Sequence, residues 1–241
     1  MKYADRFYRS FNESERWKSF RVRVETSDLY IRADKNLAGP AQELVTKLRN
    51  QIREHIERQE SFLTSFEPVE RLPGCAEIID RMYDASEQTG TGPMAAVAGA
   101  IAEFAGRGLM AESREVIVEN GGDVWLSVLE PVKISIFTES RYFKDRVTVL
   151  VRPEKTPCGI CTSSGKTGPS ISFGRADSAT VVSLDAAFAD AAATGACNLV
   201  KDDTSLDRAL DYCFSMKKTR GAVIIFRDKM ALKGDIELTE P

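Results

Sequence analysis

Two stretches of this chain consist mainly of alanine and glycine at helical spacing. One is Pro93–Leu109, PMAAVAGAIAEFAGRGL; the other lies within LDAAFADAAATGACNLV and is helical over about 184–199. Side chains this small leave no bulk to hold a neighbour away, so something must pack very close to the first helix. The flanks differ in period. KSFRVRVETSDLYIRAD, 18–34, alternates apolar and polar residues about a polar turn, as a β-hairpin does. Gly39-Pro40 opens a helix to about Phe66 with Leu44, Leu48, Ile52 and Ile56 as its buried stripe, and a further helix at 75–87 carries Ile78, Ile79 and Met82. Pro93 suits a first helical turn.

Between the two Ala-rich helices the spacing predicts strands within 114–137 and at 146–151. A Gly/Ser/Thr/Pro-rich loop at about 152–175 and a short strand at 180–183 follow. A helix at about 204–216 precedes a terminal hairpin, GAVIIFRD into MALKGDIELT. Strands at both ends with helices between them indicate an α+β fold, read as one domain over 1–241.

Composition removes several classes of function. There is one histidine, His55, so a site of two or three His ligands within one chain is excluded. Any Ser-His-Asp or Cys-His device would have to use it. Its neighbours Arg53, Glu54, Glu57 and Arg58 mark a solvated helix face, on which an exposed histidine is expected. A net charge of −3 argues against general nucleic-acid binding. With no run of about 20 apolar residues and no apolar leader at the N-terminus, a cytoplasmic protein without a membrane span is expected. Five scattered cysteines do not form a secreted disulfide framework.

Four elements could carry chemistry. Asn120-Gly121-Gly122-Asp123 is a hairpin turn by its residue types, and its bare backbone could also admit a phosphate or flavin ring. Gly159-Ile160-Cys161-Thr162-Ser163-Ser164-Gly165, followed by Lys166, offers hydroxyls and N–H groups to phosphate oxygens, without P-loop spacing; a plain surface loop is the other reading. Asp190 and Thr194, at i and i+4, share a helix face and are the oxygen ligands a cation such as Mg²⁺ accepts, although both types are common on exposed surfaces. Asp185 falls near the start of that helix, where its dipole favours an acid. Cys158 and Cys161 have the spacing of a redox dithiol or half a zinc site, and zinc would need two further ligands.

Several of these elements stand in one order: Gly92-Pro-Met-Ala-Ala-Val-Ala-Gly-Ala-Ile-Ala-Glu103, Val118-Glu-Asn-Gly-Gly-Asp123, Gly159–Gly165, Ser172-Phe-Gly-Arg-Ala-Asp177 and Ala189-Asp-Ala-Ala-Ala-Thr194. In this the chain resembles the ApbE superfamily, the FAD-dependent flavin transferases, and most closely its short cytoplasmic branch. The resemblance implies antiparallel sheet layers with surrounding helices about a flavin cleft. It implies FAD or FMN against Asn120, Gly121, Gly122, Asp123, Thr162, Ser163, Ser164 and Gly165. It implies Mg²⁺ on Asp190 and Thr194, with a carbonyl from near Ala96–Val97. The implied activity is Mg-dependent transfer of FMN from FAD to a protein threonine; the alternative is a non-catalytic accessory protein of anaerobic sulfur and homocysteine metabolism. The implied partners are a flavin nucleotide and an acceptor or sulfur-metabolism protein; a second copy of the chain is a further candidate, and charge and hydropathy leave no nucleic-acid or membrane partner expected. Two positions depart from the transferases. Ala98 stands where they carry lysine before Gly99, and Gly168-Pro169-Ser170-Ile171 stands where they carry histidine.

Overall fold

In the computed structural model, residues 16–165 and 174–241 are described. The hairpin is β1 (Lys18–Val24) with β2 (Ser27–Ala33), paired from Lys18↔Ala33 to Val24↔Ser27. Three helices follow, α1 (Ala38–Arg58), α2 (Glu60–Thr64) and α3 (Glu77–Thr89). A short 3₁₀ turn at Pro93–Ala96, with Pro93 in its first position, leads into α4 (Val97–Leu109). Strands β3 (Val116–Asn120), β4 (Asp123–Ser127), β5 (Val132–Ser135), β6 (Thr148–Val151), β7 (Cys158–Ser163) and β8 (Ser178–Ser183) precede α5 (Ala186–Leu199) and α6 (Leu206–Ser215). The described chain closes with β9 (Gly221–Phe226), β10 (Lys229–Gly234) and β11 (Leu238–Thr239).

Eight strands form one antiparallel sheet in the order β1-β2-β3-β4-β7-β8-β9-β10, and β11-β6-β5 form a smaller one. The period-2 alternation of each strand gives the large sheet two apolar faces. Val118, Trp125, Cys161, Val181 and Ile224 point to the helices. Ile117, Leu126, Ile160, Val182 and Ile225 point the other way and meet Val132, Val149 and Val151 of the small sheet. The result is three layers: helices, large sheet, small sheet. That is the α+β arrangement of antiparallel layers expected from the sequence.

Helix α5 lies at the centre of the helical layer, in contact with β7, β8, α3, α4 and α6. Every residue from Ala186 to Cys197 is buried, which accounts for a helix with no solvent-facing polar stripe. The close packing expected of α4 is present. A Cβ at Gly106 would fall into the Trp125 ring of the sheet below.

Four expectations are corrected. The helix read as running to Phe66 breaks at Gln59, an extended residue between α1 and α2. Its buried face is Ala41, Val45, Leu48, Ile52 and His55, while Leu44 and Ile56 are only half-buried. His55 is therefore in the interior, 3% exposed, because Phe62 and Tyr83 pack their rings edge-on against it. Local charge could not reveal partners supplied by two other helices. Finally, the region read as a loop over 152–175 contains β7, a central strand. Its small residues are needed because α5 lies directly on it: a Cβ at Gly159 would come 2.6 Å from Ala186 Cβ.

Candidate functional site

The β3–β4 turn pairs Asn120 with Asp123 across Gly121 and Gly122, whose φ values are 75° and 112°. Such angles favour glycine, so the turn reading of the motif is correct for the backbone. The turn is also tied to a helix. Asn120 Nδ2 donates to Ala98 O, 3.1 Å away, which brings the hairpin against the first turn of α4. Asn120 and Asp123 have the same parity as Val118 and Trp125, so their side chains face the helices.

The first turn of α4 has no local side-chain cap. Asp190 of α5 supplies one from across the interface. Its Oδ2 accepts from Gly99 N at 2.8 Å, and Ala98 N also donates to this carboxylate. The orphan N–H groups and positive end of a helix thus hold a carboxylate from another element. Gly99 permits this approach, since a Cβ there would fall onto the Ala186 carbonyl oxygen and lie 2.8 Å from Asp190 Cβ.

A second carboxylate lies close by. Asp123 Oδ1 accepts from Thr162 N at 3.2 Å, and its side chain is bonded to Cys161, whose Sγ also lies 3.4 Å from Ala186 O. Burial pushes Asp123 well above the usual carboxylate range, and the charge of Asp190 adds to the effect. Burial also pushes Asp190 up to about 7, against the opposing pull of the Gly99 and Ala98 N–H groups. Two buried carboxylates that repel one another favour keeping a proton between them.

Thr194 is one turn along the same buried face of α5, 8% exposed. Ser163 also points to the helices, buried, and its Oγ has no hydrogen-bond partner among the described residues. Thr162 does not join them. Its side chain lies on the opposite face, 2.9 Å from Thr180 Oγ1, and only its backbone N–H reaches the cluster. Ser164 and Gly165 follow the end of β7, half-buried, with Gly165 N donating to Ala176 O at 3.0 Å. Lys166, Gly168-Pro169-Ser170-Ile171 and Ser172-Phe173 lie outside the described residues. Among the described residues no three His, Cys, Asp or Glu side chains cluster around a metal position. A cation here would need Thr194 and backbone carbonyls beside carboxylate.

The other sequence candidates fall elsewhere. Cys158 and Cys161 are three residues apart on a strand, so they point to opposite faces, one toward the small sheet and one toward the helices. Both are free thiols, and burial pushes Cys158 up to about 12. That geometry overturns the redox-pair reading. His55 bonds Tyr83 and is remote from these contacts. Asp185 is the N-cap of α5, accepting from Phe188 N at 2.9 Å. A small cavity between the two sheets, lined by Val149, Cys158, Ile160 and Arg220 among others, is separate from the carboxylate cluster. No described helix is long and apolar enough to cross a membrane.

Sequence reading missed Cys161 as a neighbour of Asp123, and the Ala98 and Gly99 N–H groups as donors. The register that sets Asp123 opposite Cys161 follows from the pairing Val124↔Ile160, which no local motif reveals.

The family model described as AbpE bacteria matches residues 9–231. A UPF0280 protein of Methanocaldococcus jannaschii is 34% identical over 226 residues, covering 91% of this chain and 92% of that one. Another, from Methanopyrus kandleri, is 38% identical over 223 residues, with 90% of each covered. Among solved structures, the flavin transferase ApbE from Vibrio cholerae aligns over 90% of this chain and 96% of its own, with a TM-score of 0.61 at 12% identity.

Proposed function

The chain belongs to the AbpE bacteria family and to the ApbE superfamily, and from that premise we propose that the cluster beneath the start of α4 is a flavin-nucleotide site with a divalent cation on Asp190 and Thr194. The observation that carries this reading is the convergence of Asn120, Asp123, Ser163, Asp190 and the α4 N–H groups on one sheet face. The donor set fits both groups. Carboxylate, hydroxyl and carbonyl oxygens suit Mg²⁺, and Ser163 Oγ, without a hydrogen-bond partner among the described residues, suits a phosphate oxygen. When bound, Mg²⁺ would supply Lewis-acid polarisation of a phosphoryl oxygen. The chain's own part is positioning. Asn120 fixes the turn on Ala98 O, the Gly121-Gly122 backbone leaves room for a flat ring or phosphate, and the Gly99 N–H orients Asp190. A soluble FAD titration followed by flavin fluorescence tests this. Tighter binding with Mg²⁺, and loss of that dependence in Asp190→Ala, are expected. Equal affinity with and without Mg²⁺ would remove the metal assignment, and absence of FAD binding would remove the whole reading.

The finer reading is transfer of FMN from FAD to a threonine of an acceptor protein, with AMP as the other product. A second reading, flavin binding without transfer in an accessory protein of sulfur metabolism, is favoured by two features. Ala98 provides no ammonium at the start of α4, and the chain's single histidine is committed to Tyr83. Incubation with FAD, Mg²⁺ and candidate acceptor proteins separates the two: AMP release with covalent flavin supports transfer, and tight FAD binding without AMP supports the second reading.

A further inference from the structure

The single histidine and the only half-buried cysteine meet outside the flavin site. His55 is on α1, Tyr83 on α3, and Cys75 just before α3. Cys75 Sγ lies 3.7 Å from His55 Nδ1, and His55 Nε2 lies 2.8 Å from the Tyr83 hydroxyl.

The direction of each hydrogen follows from the surrounding bonds. Gln59 Nε2 donates to Glu70 O at 2.8 Å, so Oε1 is the end of that amide that faces Tyr83 and accepts its hydroxyl proton. A hydroxyl has one hydrogen to give, and this one is used. The Tyr83 oxygen must therefore accept from His55 Nε2–H. A neutral imidazole carries one N–H, so Nδ1 keeps its lone pair, directed at the Cys75 thiol. In the resting geometry the thiol gives its one hydrogen to Leu72 O at 2.9 Å, an acceptor that cannot take the proton away, so the S–H must swing to the lone pair of Nδ1 before transfer. Burial holds His55 below its ordinary pKa and Cys75 above its own, so the pair is a neutral thiol beside a neutral base. The charged groups that bear on it are Arg58, Arg71 and Asp80. Nucleophile, base and orienting group are thus arranged as in a Cys-His device, built from a histidine with no place in the flavin site. The other four cysteines are buried.

We propose that Cys75 and His55 form a thiol–imidazole pair at which a small-molecule disulfide is taken up, leaving Cys75 as a mixed disulfide. Cys75 Sγ bonds to one sulfur of the disulfide while the S–S bond breaks. The thiol proton goes to His55 Nδ1 and then to the departing thiolate, or to solvent where that thiolate is too weak a base to hold it. Overall, one thiol and one disulfide become a mixed disulfide and a new thiol: Cys75 is oxidised and the reagent reduced.

The test uses the whole native protein and 5,5′-dithiobis(2-nitrobenzoate), a small aromatic disulfide, with the released thiolate followed by absorbance and the labelled peptide identified by mass. One equivalent should react first, at Cys75, and Cys75→Ser should remove that phase. Because His55 is already neutral, the rate should be level between about pH 6.5 and 8.5. An unassisted thiol would instead climb about tenfold per pH unit over that range, since only thiolate attacks. His55→Gln should slow the reaction at pH 7 by roughly tenfold or more. Tyr83→Phe, which keeps the ring but no longer fixes the tautomer, should slow it too. A tenfold-per-unit slope in the native protein, first labelling at another cysteine, or a folded His55→Gln or Tyr83→Phe protein reacting at the native rate would each overturn the proposal. If His55→Gln does not fold, the native pH profile and Tyr83→Phe decide.

Discussion

Gly99 and Gly108 lie on the same helix, α4, and differ in what an added methyl group would meet. Replacing either by alanine improves helix propensity by about 0.8–1 kcal/mol in a helix interior. At Gly108 the new Cβ would approach Leu44 Cδ1 and Cδ2 at 2.8 and 3.1 Å, the far end of a flexible, half-buried side chain that can turn aside. The propensity gain survives there, reduced by the position in the last turn, at about 0.5 kcal/mol. At Gly99 the Cβ would fall on the Ala186 carbonyl, which is backbone and cannot turn aside, and would lie 2.8 Å from Asp190 Cβ. Overpacking of this kind costs about 1–3 kcal/mol. Moving α4 away from α5 also stretches the 2.8 Å bond from Gly99 N to Asp190, a loss of about 1 kcal/mol. The net effect at Gly99 is a loss of about 2 kcal/mol, and for a chain of this length 1 kcal/mol shifts Tm by about 2–4 °C. Gly99→Ala should therefore lower Tm by about 4–8 °C and Gly108→Ala raise it by about 1–2 °C. Thermal melts by circular dichroism measure both. If Gly99→Ala raises Tm as Gly108→Ala does, the two helices do not pack at backbone distance and the site geometry built on that contact is wrong.

Asp190→Asn tests the buried carboxylate without removing its hydrogen-bond acceptor. Asp190 titrates at about 7 in the folded chain against an ordinary 3.8, so between those values the native state holds a proton that the unfolded chain releases, and stability falls as pH rises. The asparagine variant should show a flatter fall in Tm between about pH 4 and 7, and a higher Tm than the parent at about pH 8 without ligand; an unchanged slope would refute the burial argument. Asp185→Ala should cost about 1 kcal/mol for the lost α5 cap, and somewhat more because Arg81 and Lys218, 3.1 and 2.9 Å away, both lose this carboxylate. Asp185→Asn should recover the cap alone, which chemical denaturation of the three proteins would show. Asn120→Ala should cost about 1 kcal/mol by removing the bond to Ala98 O, and should weaken FAD binding by more than a substitution at Thr162, whose side chain faces away. Similar losses at the two positions would contradict the placement.

The elements whose physics is local were legible in the residues. The β1–β2 hairpin, the Asn120–Asp123 turn, the Pro93 start and the terminal hairpin each follow from alternation or from a backbone angle that few residues adopt. The i, i+4 spacing of Asp190 and Thr194 placed them on one face of α5, as observed. What failed was burial. His55 sits among charged sequence neighbours yet is enclosed by rings from α2 and α3, and Cys158–Ser163 reads as loop composition yet forms a central strand under α5.

By itself, then, the sequence determined which segments are helix and which are strand over most of the chain, because period and turn chemistry are properties of neighbours in the chain. It also determined that α4 must be approached closely, because alanine and glycine leave no side-chain bulk to prevent it. Only the tertiary structure decided which side chains meet. The antiparallel register sets Cys161 against Asp123, the helix crossing at Gly99 brings Asp190 to the α4 N–H groups, and the packing of three helices turns an outlying histidine into the partner of Cys75. Those contacts join residues far apart in the chain, and their energies depend on burial, which no local pattern records.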